Sequence, residues 1–172
     1  IAESNLQVLG QILRTSTALD RSLADDLFET RAMVEGASAR LAARNAAPED
    51  IEAIREAIRL MEEAVPAYIK GERRLAEMLE LDDLFHLRVA AASHNRFYIQ
   101  FVNIMHTAGT DMGLYEKAYG RPPEKYYESI EFHSELADAI EKGNETEAQD
   151  IMLRHIESIE TGTRIAESDE EN

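Results

Sequence analysis

The chain has 172 residues, 44% of them hydrophobic and 30% charged, and a formal net charge of −16. That length supports one domain or slightly more with a substantial core, and a surface this acidic, with no Lys/Arg cluster to offset it, excludes DNA or RNA binding by this chain alone. The absence of Cys excludes disulfides and thiolate metal sites, and the lack of a bilayer-length apolar run or signal-peptide pattern leaves a cytoplasmic protein with no membrane contact as the expectation.

Ala, Glu, Leu and Arg dominate, while Gly (8) and Pro (4) are few. That balance predicts an all-α protein whose acidic residues are mainly solvated helix faces. Residues 1–22 hold a short apolar-periodic piece, Leu6, Leu9, Ile12 and Leu13, read as a short helix and a polar connector. A start at Ile1, without Met, reads as a piece of a longer protein.

Residues 23–45 predict a strong helix with Leu23, Leu27, Val34, Ser38 and Leu41 on one face. Asp25 and Asp26 sit in its first turn, where the helix dipole favours acids. Arg31 falls inside the apolar face. It either pairs with Glu35 one turn on or aims an anion-gripping guanidinium into a pocket. Pro48, Glu49 and Asp50 start a second helix, with Ile51, Ile54, Ile58 and Met61 on one face. It is expected to run to about residue 64 and to break or kink at Pro66. Helical character resumes over 67–78 and runs into the central stretch, with Asn95 able to end that helix in the left-handed conformation.

The central stretch, Leu79–Asn95, reads LELDDLFHLRVAAASHN. As a helix it aligns Leu75, Leu79, Asp82, His86, Val89 and Ser93 in one stripe. An acid and a histidine one turn apart interrupt an apolar face, which is costly unless something pairs with them. Residues 96–119 predict a buried face of Phe97, Phe101, Ile104 and Met105, and Gly120–Pro123 a loop. A helix over about 124–142 carries Ile130, His133, Ala137 and Ile140 inward, and Lys142–Gly143 ends it. Asn144 to Thr146 offer a cap for the last helix, whose inward face is Ala148, Ile151, Met152, His155 and Ile159. From Glu167 the acidic tail lacks apolar residues and reads as disordered.

Three helices thus aim one histidine each at the core, and one adds an aspartate. Asp82, His86, His133 and His155 supply one oxygen and three nitrogens, a set suited to zinc, nickel or another borderline divalent cation. Asp83 lies about 100° round the helix from Asp82 and is expected to face solvent; His94 and His106 are off the stripe and read as ordinary residues. There is no GxSxG, Gly-rich phosphate loop or HExxH, so nucleophilic catalysis finds little support.

The segments LADDLFETRAMVEGASARLAARNA, PEDIEAI, DDLFHLRVAAASHN and EFHSELADAIEKGNETEAQDIMLRHI, in this order from about residue 23 to 160, resemble the FCD domain. That is the C-terminal effector-binding and dimerisation domain of the FadR subfamily of GntR-type bacterial transcription regulators. The resemblance implies an antiparallel bundle of about six or seven helices around a central metal and ligand cavity. It implies a metal held by Asp82, His86, His133 and His155, and a pocket-facing Arg31 that helps hold a small organic acid effector. It implies a homodimer that touches DNA only through an N-terminal winged-helix domain this sequence does not contain. The expected organisation is a connector over 1–22 after that domain, an FCD-like domain over 23–166, and an acidic tail over 167–172. Two local departures from the family are a longer region 61–80 and His94 in place of a small residue before Asn95.

The expected function is therefore ligand sensing without bond breaking. Two alternatives use the same four residues: a metal-dependent hydrolase or lyase in which the ion activates water, and a purely structural ion stapling three helices.

Overall fold

The computed structural model describes residues 21–119 and 125–170, with side chains from Leu23 to Tyr119 and from Lys125 to Ala166. Seven helices and short connections make up these residues: α1 Arg21–Asn45, α2 Pro48–Ile69, α3 Leu75–Ala92, α4 Arg96–Asp111, α5 Leu114–Tyr119, α6 Lys125–Glu141 and α7 Glu145–Glu170. No strand occurs among them. The helix expected within 1–22 and the loop expected at 120–123 lie outside the described residues, apart from the start of α1. The last helix reaches Glu170, four residues into the acidic tail.

Local chemistry explains most of the boundaries. Pro48 occupies the first turn of α2, and the Asp50 carboxylate accepts the Ala47 N–H at 2.9 Å, closing that turn. Pro66 does not end α2, contrary to the sequence expectation; the helix runs through it to Ile69. Pro66 and Glu62, whose carbonyl loses its helical partner, are both on the exposed face, where water can serve instead. The stop comes at Gly71, in the left-handed conformation at φ 73°, so α2 and α3 are separate rather than continuous. Between α3 and α4 the left-handed residue is His94, at φ 56°, and not Asn95. Asn95 instead caps α4, its side-chain oxygen accepting the Phe97 N–H at 3.1 Å. Gly143, at φ 72°, ends α6 as expected.

α1 lies at the centre of the bundle, packed against α3, α4, α6 and most extensively α7; α2 packs on α3 and α6, and α5 on α7. Its buried stripe is Ala24, Phe28, Arg31, Glu35, Ser38, Ala39 and Ala42. The expected Leu23, Leu27, Val34 and Leu41 are only half-buried. Small residues explain the rotation: a Cβ on Gly36 would come within 3.1 Å of Leu153 on α7, so only a slim α1 face lets the two helices approach this closely. The stripes of α3, α6 and α7 match expectation, with Leu79, Asp82, His86, Val89, Ile130, His133, Ala137, Ile140, Ile151, Met152, His155 and Ile159 all buried.

α4 is turned relative to expectation. Phe97 is 73% and Phe101 49% exposed, while Val102, Met105, His106 and Gly109 face inward. That inward set has the i, i+3, i+4, i+7 spacing of one helix face. Its rotation brings His106 into a buried ion-paired cluster.

Candidate metal centre

α3, α6 and α7 converge on one buried point. His133 Nε2 lies 3.2 Å from His155 Nε2, and His155 Nε2 lies 3.3 Å from His86 Nε2. The Asp82 carboxylate closes the group, 3.7 Å from His133 Nε2 and 3.8 Å from His86 Nε2. All four residues are buried. Each comes from a different turn of an apolar stripe, so packing of the helices, rather than loop geometry, fixes the arrangement.

The donors fit a cation. Zinc–nitrogen bonds of about 2.0–2.1 Å in a tetrahedron put neighbouring nitrogens about 3.3–3.4 Å apart, close to the spacings found here. A neutral imidazole carries one N–H, so His155 Nε2, facing two other Nε2 atoms, can satisfy at most one of them by donating a proton. His133 Nδ1 has no hydrogen-bond partner and cannot relieve this from the other side of its ring. Phe85 stacks on the His133 ring at 3.8 Å between centroids and fixes its plane. Burial, and then the neighbouring imidazoles, hold His133 and His155 well below the usual histidine range, so both are neutral lone-pair donors near neutral pH. Burial pushes the Asp82 carboxyl up, partly offset by His86, His106 and Arg31. Ser129 Oγ donates to Asp82 Oδ1 at 3.4 Å.

A second cluster adjoins this centre through His86. Arg31 Nε donates to Glu35 Oε1 at 2.6 Å, and Glu35 Oε2 lies 2.7 Å from His86 Nδ1 without hydrogen-bond alignment and 3.4 Å from His106 Nε2. Arg31 Nη2 is 3.1 Å from His106 Nε2, and His106 Nδ1 is 2.6 Å from Asp83 Oδ1. Burial raises Glu35, but Arg31, then His86 and His106, outweigh it and hold the carboxyl well below its ordinary range. Burial and Arg31 lower His106, but Glu35 and Asp83 prevail and the imidazole titrates above its usual value. Tyr115 covers the cluster, its ring centroid 5.1 Å from the Arg31 guanidinium carbon and 5.8 Å from the His106 ring. Gly109 makes the room: a Cβ there would fall 2.4 Å from Tyr115 Oη.

The side chains the sequence picked out are thus together, and Arg31 pairs with Glu35 one turn on. Arg31 is fully buried, yet its Nη1 has no hydrogen-bond partner. The roles of three members escaped the sequence reading. Asp83 is only part-exposed and holds His106, rather than facing solvent freely. His106 was legible in the Val102–Met105–His106–Gly109 spacing, which the more hydrophobic Phe97 and Phe101 mask. Nothing in the sequence pairs Glu35 with two histidines some 50 and 70 residues away.

A cleft between α5, α6 and α7 leads from the surface to this region. Tyr119, Ser129, Phe132, His155, Ser158 and Gly162 line it, and the cavity it encloses is about 20 Å³.

The FCD domain family matches residues 26–158. The chain belongs to that family. It is 25% identical over 165 residues to the HTH-type transcriptional regulator LutR of Bacillus subtilis, covering 93% of this chain and 71% of that protein. It is 28% identical over 168 residues to the putative L-lactate dehydrogenase operon regulatory protein of Escherichia coli, covering 95% of this chain and 60% of the relative. A solved structure of Streptococcus agalactiae GntR is similar at a TM-score of 0.69 and 26% identity, over 86% of this chain and 63% of that one. This FCD chain is accordingly a ligand-sensing regulatory domain of the GntR type, and it spans 60–71% of these regulators' lengths.

Proposed function

We propose that Asp82, His86, His133 and His155 hold one divalent cation, zinc or nickel, and that a small organic acid binds beside it as the effector of a cytoplasmic, homodimeric transcription regulator. The observation that carries the reading is the convergence of three Nε2 atoms and a carboxylate at one buried point. The ion would supply positive charge to an effector carboxylate or hydroxyl. Arg31 would add a donor through Nη1, which has no hydrogen-bond partner among the described residues and belongs to a guanidinium near enough to stabilise the Asp82 carboxylate.

Effector binding would shift the bundle between two packings, and differential affinity for the two states would be transmitted to DNA-binding domains outside this chain. No bond is broken in this scheme. The hydrolase or lyase alternative needs a general base at the ion, and the nearby Glu35 and Asp83 are already engaged by Arg31, His86 and His106. The E. coli relative is named for an L-lactate dehydrogenase operon, so 2-hydroxy acids are the first effectors to test.

Isothermal titration of L-lactate and related hydroxy acids into zinc-loaded protein tests this directly. The expected result is saturable binding that disappears after metal removal and weakens in Arg31→Lys, which keeps the charge but loses the planar fork. Equal binding with and without metal would contradict the scheme.

A further inference from the structure

Glu35 stands between the two clusters. Its Oε1 accepts from Arg31 Nε at 2.6 Å, and its Oε2 lies 2.7 Å from His86 Nδ1. A histidine that presents the Nε2 lone pair to a cation must carry its proton on Nδ1. A carboxylate oxygen 2.7 Å from that nitrogen favours the Nδ1-protonated tautomer by its charge, although the pair is not in hydrogen-bond alignment in this structure, and a cation on Nε2 would draw the ring toward it. His133 has no hydrogen-bond partner at its own Nδ1. His86 Nδ1 is not in hydrogen-bond alignment either, but it has the buried Glu35 carboxylate 2.7 Å away.

We infer that Glu35 is a positioning residue for the metal centre: it sets the tautomer and orientation of His86 and ties that ligand to Arg31. The inference rests on the metal centre proposed above and adds to it a residue on a fourth helix, α1. The same carboxylate holds the guanidinium that would meet an effector anion. A cation at His86 and an anion at Arg31 therefore act on one carboxylate from its two oxygens, which gives metal and effector a shared element whose position both can bias.

A purely structural role is the rival, because Glu35 also neutralises a fully buried arginine. Zinc affinity separates the two. It is measured by competition with a chromophoric chelator on wild type, Glu35→Gln, the double variant Arg31→Met/Glu35→Gln, and Arg31→Lys. Circular dichroism of each metal-free protein reports its fold. Glu35→Gln is expected to weaken zinc binding by about 10–100-fold, the usual effect of losing a carboxylate behind a ligating histidine. The double variant removes the buried charge pair together, so it keeps the fold if the single variant does not, and its zinc affinity is expected to fall equally. Arg31→Lys retains the carboxylate and is expected to bind zinc as wild type does. Wild-type affinity in either folded Glu35→Gln protein would overturn the inference and leave Glu35 as a partner of Arg31 alone. Failure of the wild type itself to bind zinc would instead overturn the proposed centre.

Discussion

The two buried polar clusters sit side by side and share His86, yet they are built on opposite electrostatic plans. The cluster on α1, α3 and α4 is internally compensated: guanidinium, two carboxylates and an imidazole answer one another at 2.6–3.4 Å. The cluster on α3, α6 and α7 is not. Its nitrogens face each other, burial and like-charge neighbours keep two imidazoles neutral, and the one carboxylate is pushed toward protonation. Buried polar groups that are incompletely satisfied are costly, and a cation would serve all four at once. The first cluster balances its own charges, leaving Arg31 Nη1 without a hydrogen-bond partner among the described residues, whereas the second has a donor set that could hold a cation.

The contrast predicts different responses to mutation and to metal. Zinc at a thousandfold excess over its dissociation constant adds about 4 kcal/mol to the stability of a protein that binds it only when folded. Calorimetric scans with and without zinc are expected to show that gain in wild type and to lose it entirely in His155→Ala. In the compensated cluster, Glu35→Ala strands Arg31 as a buried unpaired charge and is expected to cost about 3–5 kcal/mol, read as a lowered urea midpoint in metal-free protein. A cost under about 1 kcal/mol would mean that water reaches Arg31.

Acid separates the clusters next. His133 and His155 have folded pKa values well below the unfolded value of about 6.5, so the unfolded chain binds more protons there. Metal-free protein is therefore expected to lose stability as pH falls below about 6.5, by as much as about 1.4 kcal/mol per pH unit for each imidazole. Glu35, depressed in the folded state, continues to stabilise until the pH falls through its own lowered value. Urea melts at successive pH values would measure the slope, and a flat profile from pH 7 to about 5 would contradict the neutral-imidazole assignment.

Smaller effects mark the rim. Gly109→Ala puts a Cβ 2.4 Å from Tyr115 Oη and is expected to cost about 1–3 kcal/mol through displacement of that ring. Arg164→Ala removes exposed pairs to Asp25 and Glu160, at 2.9 and 2.6 Å, and is expected to cost about 1 kcal/mol or less.

The same contrast explains what the sequence could reveal. Asp82, His86, His133 and His155 interrupt apolar stripes on α3, α6 and α7, and a polar residue at a core register is conspicuous by its period. The compensated cluster hides for two reasons. α1 buries alanines and turns its leucines partly outward, so the apolar period points to the wrong face. α4 leaves Phe97 and Phe101 exposed while burying His106, whose imidazole lies 2.6 Å from Asp83 and 3.4 Å from Glu35. Pairings across helices far apart in sequence leave no local trace. The breaks were partly legible: Gly143 stops α6 as its position suggests, whereas Pro66 is tolerated on an exposed face and His94 takes the left-handed conformation beside an asparagine better suited to it.

The most direct test of the central claim is the metal content of purified wild type beside His133→Ala, by elemental mass spectrometry after exposure to zinc and nickel. About one divalent ion per chain in wild type, lost in the variant, is the result the uncompensated cluster predicts. No metal in either protein would contradict it, and the three histidines would then be neutral core residues that share protons among themselves.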